Sequence, residues 1–215
     1  MIEENSGKFF RFKLDFNMGF GFAEVYDFTD IHSADGRIVF IYNRLDKETK
    51  KSYKLEEITS SGIALGPIRL YRYPNSKGIG AWKFLMKHDN FIIEEPNFSK
   101  DAQDLTPMVY NWDTLKSWHR SDYGMKESPR YVPYSQVRIL ETRILNSTTG
   151  VVKKVTMKKL IDEEKNFAQY YDLTDLGNRN MFLQLINTYY PLEKAKQLIG
   201  LIPVDIENIP NNVSI

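Results

Sequence analysis

The chain has 215 residues, 42% of them hydrophobic, with 29 basic against 28 acidic side chains and no cysteine. That length suits one domain with an appendage or two small domains, and an aromatic share of 13% supplies enough apolar area for a true core. The near-neutral charge excludes the broad basic excess of a protein that grips a nucleic-acid backbone over its whole surface, and the lack of cysteine excludes disulfides, thiol catalysis and cysteine-ligated zinc.

The start, MIEENSGKFF, is polar and acidic. It has neither the basic segment nor the apolar core of a secretory signal. No apolar run nears the roughly 20 residues needed to cross a bilayer. The expected compartment is the cytoplasm, and no membrane partner is expected.

Residues 8–16 alternate. Phe10, Phe12, Leu14 and Phe16 fall on one face, and Arg11, Lys13 and Asp15 on the other. A period of two predicts a half-buried strand. Asn17-Met18-Gly19 then supplies a short connection, and residues 20–28 (FGFAEVYDF) return as the second arm of a hairpin. Gly21 interrupts that arm, which predicts a bulge, a bend or a close backbone approach. It does not predict a phosphate cradle, because no third glycine and no helix follow.

SADGR, residues 33–37, is a turn signal, and RIVFIYNRL at 37–45 reads as a central strand. A charged loop follows, then LEEI as one helical turn. GPIRLYRYP, residues 66–74, predicts a fourth strand bracketed by Pro67 and Pro74, with Arg69, Tyr71 and Tyr73 on one face. AWKFLMKHD predicts a fifth, with Trp82, Phe84 and Met86 on one face. Five short strands with turn chemistry between them predict a small closed antiparallel barrel over residues 5–95. Its phenylalanines are expected as core and wall.

Residues 96–133 show no sustained period and are rich in Pro and aromatics, which marks a segment that packs on something or faces a partner. Residues 134–215 predict a mainly helical region. The stretch at 134–145 fits a helix or an extended segment nearly equally. VVKKVTMKKLIDEEK reads as an amphipathic helix or a strand leading into one. Asp175 is placed to cap a helix carrying Met181, Leu185, Ile186 and Tyr189. PLEKAKQLIG has Pro191 in its first turn and Gly200 at its end. The fold class expected is therefore α+β.

Recognisable chemistry is sparse. His32, His88 and His119 have no metal-pair spacing. His88 reads as a turn residue. His119 stands in SWHRSDY, where a Trp-His-Arg cluster suits a binding hot spot. Glu163-Glu164-Lys165 has the E-x-K spacing of a metal-dependent nuclease, but its surroundings read as a solvated helix. Glu94-Glu95 would point apart on an extended chain. The pairs Lys50-Lys51, Lys153-Lys154 and Lys158-Lys159 read as solvated faces. No nucleophile elbow or Walker loop is present.

The segments GKFFRFKL, GFGFAEV, RIVFIY and GAWKFL together resemble the immunity protein 26 family of bacterial polymorphic toxin systems, over about residues 5–100. The resemblance implies a mostly β protein without catalysis or cofactor, whose partner is a cognate toxin. Such an inhibitor needs a rigid scaffold and a complementary exposed surface. The expected partner-binding residues are Tyr71, Tyr73, Trp112, Trp118, His119 and Arg120. The alternative is a small-barrel module binding nucleic acid or peptide, as in phage defence, suggested by Tyr71, Tyr73 and the lysine pairs. An unrecognised enzyme centred on His119 is the third reading.

Overall fold

The computed structural model describes residues 6–27, 37–78, 80–88, 98–99, 108–110, 130–131, 140–141 and 145–203. Strands β1 (Lys8–Lys13), β2 (Phe20–Asp27), β3 (Arg37–Asp46), β4 (Ile63–Leu70) and β5 (Trp82–Lys87) form one antiparallel sheet. Their spatial order is β4-β3-β2-β1-β5. A short helix, α1 (Leu55–Thr59), lies between β3 and β4. β6 (Phe98–Ser99), β7 (Met108–Tyr110) and β8 (Arg130–Tyr131) form a separate three-stranded sheet. Among the described residues three helices follow, α2 (Thr148–Asp162), α3 (Leu176–Tyr189) and α4 (Leu192–Ile199). Among the described residues no helix is long and apolar enough to cross a membrane.

The five-stranded sheet is open, which corrects the expected barrel. β4 and β5 occupy opposite edges and do not pair with each other. The reason lies in what covers the apolar face. Phe10, Phe12, Val25, Val39, Ile41 and Trp82 of the sheet share one core with Val151, Val155 and Leu160 of α2, Phe182 and Leu185 of α3 and Leu198 of α4. The helices remove that face from water, so the sheet need not curl onto itself. The opposite face carries a smaller cluster of Phe9, Phe22 and Tyr42 with Ile58 of α1. Trp82 is fully buried and stacks on Phe12 at 4.8 Å between ring centroids. Each such ring contributes roughly 1.5–3 kcal/mol by burial.

The β1–β2 connection differs from the simple hairpin. β1 stops at Lys13, and Asp15–Asn17 wind into a 3-10 turn closed by the Leu14 N–H donating to Gly19 O at 2.9 Å. Asp15 is pinned there, since the Tyr171 hydroxyl donates to its carboxylate at 2.7 Å. Phe16, at φ 55°, therefore leaves the inner face and lies exposed against the rings of Tyr170 and Tyr171. Gly21 meets the sequence expectation on two counts. The β2–β3 register slips beside it, and a Cβ there would stand 2.6 Å from the Phe12 ring.

β4 starts three residues before the predicted Gly66 and ends at Leu70, so Tyr71 and Tyr73 fall beyond the strand. Gly66 and Pro67 occupy its register shift against β3, a position where a missing N–H is tolerated. Met86 also leaves its predicted face. The β1–β5 register shifts between Phe9 and Phe10, so Phe84 opposes Phe10 while Met86 opposes Phe9 on the other side.

The segment 151–165 is helical as far as Asp162, where α2 ends. Ser147 caps α2, its hydroxyl accepting from the Gly150 N–H at 3.0 Å. Asp175 caps α3 by accepting from the Asn178 N–H at 2.8 Å, as its position suggested. α4 begins after Pro191 and ends at Gly200, which has ordinary right-handed φ. The predicted turn at 33–36, Glu94-Glu95, most of the 134–145 stretch and the tail from 204 lie outside the described residues.

Candidate functional site

The sheet edge at β5 gathers aromatic and cationic side chains. β1 contributes Lys8, Arg11 and Lys13, and β5 contributes Lys83 and Lys87. These two neighbouring strands thus hold five cations and no carboxylate, in a chain whose total charge is +1. The field they make is local, and the protein's balance is restored elsewhere.

On the helix-covered side, Phe84 remains 48% exposed and packs edge-on against Phe10 at 5.9 Å. Tyr73 meets Phe10 in the same way at 5.8 Å. The Lys8 ammonium lies 5.9 Å from both the Tyr73 and the Phe84 ring centres. Tyr71 is 55% exposed, with the Arg72 guanidinium 5.2 Å from its ring centre. Each cation–ring contact at such a surface contributes about 0.5–1 kcal/mol.

On the opposite side, the Arg11 guanidinium lies 4.9 Å from the Phe20 ring centre and 5.8 Å from that of Tyr53. Arg44 sits 5.4 Å from Phe22 and 5.7 Å from Tyr53. The two arginines are not equivalent. Arg44 is tied to Asp46 at 3.0 Å and Glu57 at 3.3 Å. Arg11, Lys13 and Lys83 make no ion pair with a carboxylate among the described residues.

Of the six residues expected to bind a partner, Tyr71 and Tyr73 are described, and Trp112, Trp118, His119 and Arg120 lie outside the described residues. Tyr71 and Tyr73 do not share a face with Arg69. Arg69 is buried, Tyr71 is exposed, and Tyr73 is half-buried against the main core. Burial, reinforced by the negative charge of Asp27, pushes the Tyr73 hydroxyl well above the ordinary tyrosine range. Tyr73 is therefore a neutral wall of the site and Tyr71 its exposed ring. Arg11, Lys13, Lys83 and Phe84 were not singled out from sequence. The signal was there in KFFRFK and WKFLMK, which alternate cations with apolar residues and lack acids, but only the β1–β5 pairing puts them side by side.

Two buried polar constellations also escaped the sequence reading. Glu24, inside β2, accepts hydrogen bonds from the Tyr26 and Tyr42 hydroxyls, each at 2.6 Å. Burial and those bonds push both phenols up. Lys154 was expected on a solvated face with its neighbour, yet it is fully buried. It donates to both Glu141 oxygens, at 2.8 and 3.0 Å. Gln184 and Tyr189 donate to the same carboxylate, at 3.2 and 2.5 Å. The Gly66 N–H in turn donates to the Tyr189 oxygen at 2.9 Å, joining helix α3 to β4. Every acceptor in this set has a donor, which suits a structural clamp.

The remaining motifs are placed on the surface. Lys158 pairs with Asp162 at 2.7 Å and Lys159 with Glu163, each one helical turn apart. Glu163 and Glu164 thus lie at the solvated end of α2, Glu164 facing Lys194 at 3.8 Å. His88 directly follows β5, its backbone N–H donating to Gly7 O at 2.8 Å. Among the described residues no three His, Cys, Asp or Glu side chains are grouped to hold a metal ion. Comparison with known proteins found no matching family model, no matching curated relative and no matching solved structure.

Proposed function

We propose that the protein is a non-catalytic immunity protein that binds and neutralises a cognate protein toxin through the β5 end of its sheet. The reading rests on one observation. Exposed Tyr71 and Phe84, half-buried Tyr73 and the cations around them are mounted on a sheet whose inner face is locked by a helical core. Rigid aromatic anchors with flanking charge are what a tight protein interface uses, because little side-chain entropy is lost on docking. The segments carrying the family resemblance also fold as neighbours, since they supply β1, β2, β3 and β5 in the contiguous order β3-β2-β1-β5.

The test is co-expression with the toxin encoded by the adjacent gene. Wild-type protein restores growth and co-elutes with the toxin. Tyr71→Ala combined with Phe84→Ala weakens the complex by about 2 kcal/mol, read by calorimetry, while leaving the fold intact. Absence of both rescue and complex for the wild type removes the reading.

A further inference from the structure

The sheet face turned away from the helices carries a group of cations that the fold leaves unanswered. Arg11 and Lys83 stand directly opposite each other in the β1–β5 register, and Lys13 follows Arg11 by two residues, so all three share that face. Directly opposed residues of antiparallel strands hold their Cβ atoms about 5 Å apart, and residues two apart on a strand are separated by about 7 Å. The three cations form a triangle of roughly those dimensions. Lys13 and Lys83 are exposed, and Arg11 is half-buried. The carboxylates of this face are taken by other groups. Asp46 and Glu57 are tied to Arg44, Glu57 also to Lys50 at 3.2 Å, and Glu24 accepts from two phenol hydroxyls. Like charges opposite each other destabilise a strand pair, and only the surrounding water keeps that cost small here.

Arg11 is the fixed corner of the triangle. Its guanidinium lies against the Phe20 and Tyr53 rings, and its Nη1 donates to the Tyr53 hydroxyl at 3.4 Å. A guanidinium held in this way loses little freedom when its remaining N–H groups close on a planar anion. The two lysines add flexible point charges beside it. The same rings disfavour a nucleic-acid strand as the occupant. Base stacking needs free aromatic faces. Here Arg11 lies over Phe20, while Arg11, Arg44 and the Phe22 ring crowd Tyr53. Three cations in a chain of net charge +1 are also a small footprint for a phosphate backbone, but they match a compact group of carboxylates.

We infer that Arg11, Lys13 and Lys83 are the ionic anchor for an exposed cluster of carboxylates on the partner protein, one of them bidentate on Arg11 and the others beside the lysines. That the partner is a toxin rests on the reading above; the chemistry of the contact rests on the triangle. Lys83 and Phe84 are consecutive on β5 and point to opposite faces, so a partner that engages both the cations and the aromatic surface reaches across that strand. The aromatic side supplies buried area, and the ionic side steers encounter and fixes the orientation of docking. Binding also relieves the repulsion between Arg11 and Lys83 that the free protein carries.

The experiment uses the full chain and two probes, capped hexaglutamate and oligo-dT, with chemical shifts read at the Arg11 side-chain Nε–H and at the amides of β1 and β5. The expected result is salt-sensitive binding of hexaglutamate that moves the Arg11 signal. Lys13→Gln with Lys83→Gln weakens it about tenfold, and Arg11→Lys weakens it although the charge is kept. Removing two cations elsewhere, Lys194→Gln with Lys196→Gln on α4, leaves the affinity unchanged; an equal loss there would reduce the effect to net charge and overturn the inference. The Lys13/Lys83 double variant unfolds at the same urea midpoint as wild type or a higher one, since like charges have been removed. A lower midpoint would make the lysines structural and overturn it too. Tighter binding of oligo-dT than of hexaglutamate at these residues overturns it in favour of a nucleic-acid surface, and no binding of either overturns it outright. The toxin reading fails separately. If wild type and the Lys13/Lys83 double variant bind the toxin of the adjacent gene equally and both rescue cells, the anchor is wrong and toxin neutralisation stands. If the wild type does not rescue while hexaglutamate still binds at Arg11, the reverse holds.

Discussion

Glu141 and Lys154 show how a side chain's role is set by its surroundings. Each is almost completely buried, and they meet at 2.8 Å. Removing Glu141 alone leaves an ammonium in a low-dielectric interior and also strips the acceptor from Gln184 and Tyr189. Glu141→Ala is expected to cost about 3–5 kcal/mol in urea denaturation. Adding Lys154→Met restores a large part of that loss, because the unpaired charge goes with it. A double variant as unstable as the sum of the singles would show that the pair was not coupled. Neither residue was legible in the sequence. Lys154 stands in one of two lysine pairs, and a helical period does not say which lysine turns inward. Gly21 was legible, since a glycine inside a strand demands a geometric reason, and the Phe12 ring is that reason. Tyr71 and Tyr73 were legible as aromatic. Their separate environments were not, because β4 ends at Leu70 and the alternation stops with it.

Among the elements, α2 has the widest responsibility, since Val151, Val152, Val155, Met157, Leu160 and Ile161 all enter the main core. Its start depends on the Ser147 hydroxyl. Ser147→Ala is expected to cost about 1 kcal/mol, read as a lower urea midpoint with an unchanged slope. Asp175 announced itself from sequence as a cap because a helical pattern follows it directly. Ser147 did not, because NSTTG offers several polar residues in a row and reads equally well as a break. The β5 bulge was invisible for a related reason. WKFLMK alternates well enough to look regular, and only pairing with β1 reveals where the register shifts. That shift takes Met86 out of the predicted face.

At the scale of the whole molecule, the period-two pattern of the front third specified an apolar face but not its cover. A barrel and a helix-covered sheet bury the same side chains, so the choice between them was not encoded in that pattern. The cover comes from α2, α3 and α4, whose own faces reach the core through Phe182, Leu185 and Leu198. Tyrosines line the seams of this assembly. Burial is the main cause that pushes the hydroxyls of Tyr26, Tyr42, Tyr73, Tyr171, Tyr189 and Tyr190 above the ordinary tyrosine range. In the unfolded chain these phenols ionise near pH 10, whereas in the folded protein they hold their protons to higher pH. The stability this represents is complete below about pH 10 and is lost as the pH rises further. Unfolding free energy measured from neutral to strongly alkaline pH should fall beyond that point, and a flat profile would contradict the buried phenols.

The shared core also sets an order of events during synthesis. The strands leave the ribosome first, and the side of the sheet bearing Phe10, Phe12, Val39 and Trp82 stays wet until α3 has been made. About a hundred residues separate β5 from Phe182, so at typical elongation rates that greasy surface waits roughly 5–20 seconds for its lid. During that interval the nascent chain is a natural client for a holding chaperone, and a codon change that slows translation between β5 and α2 would lengthen its exposure.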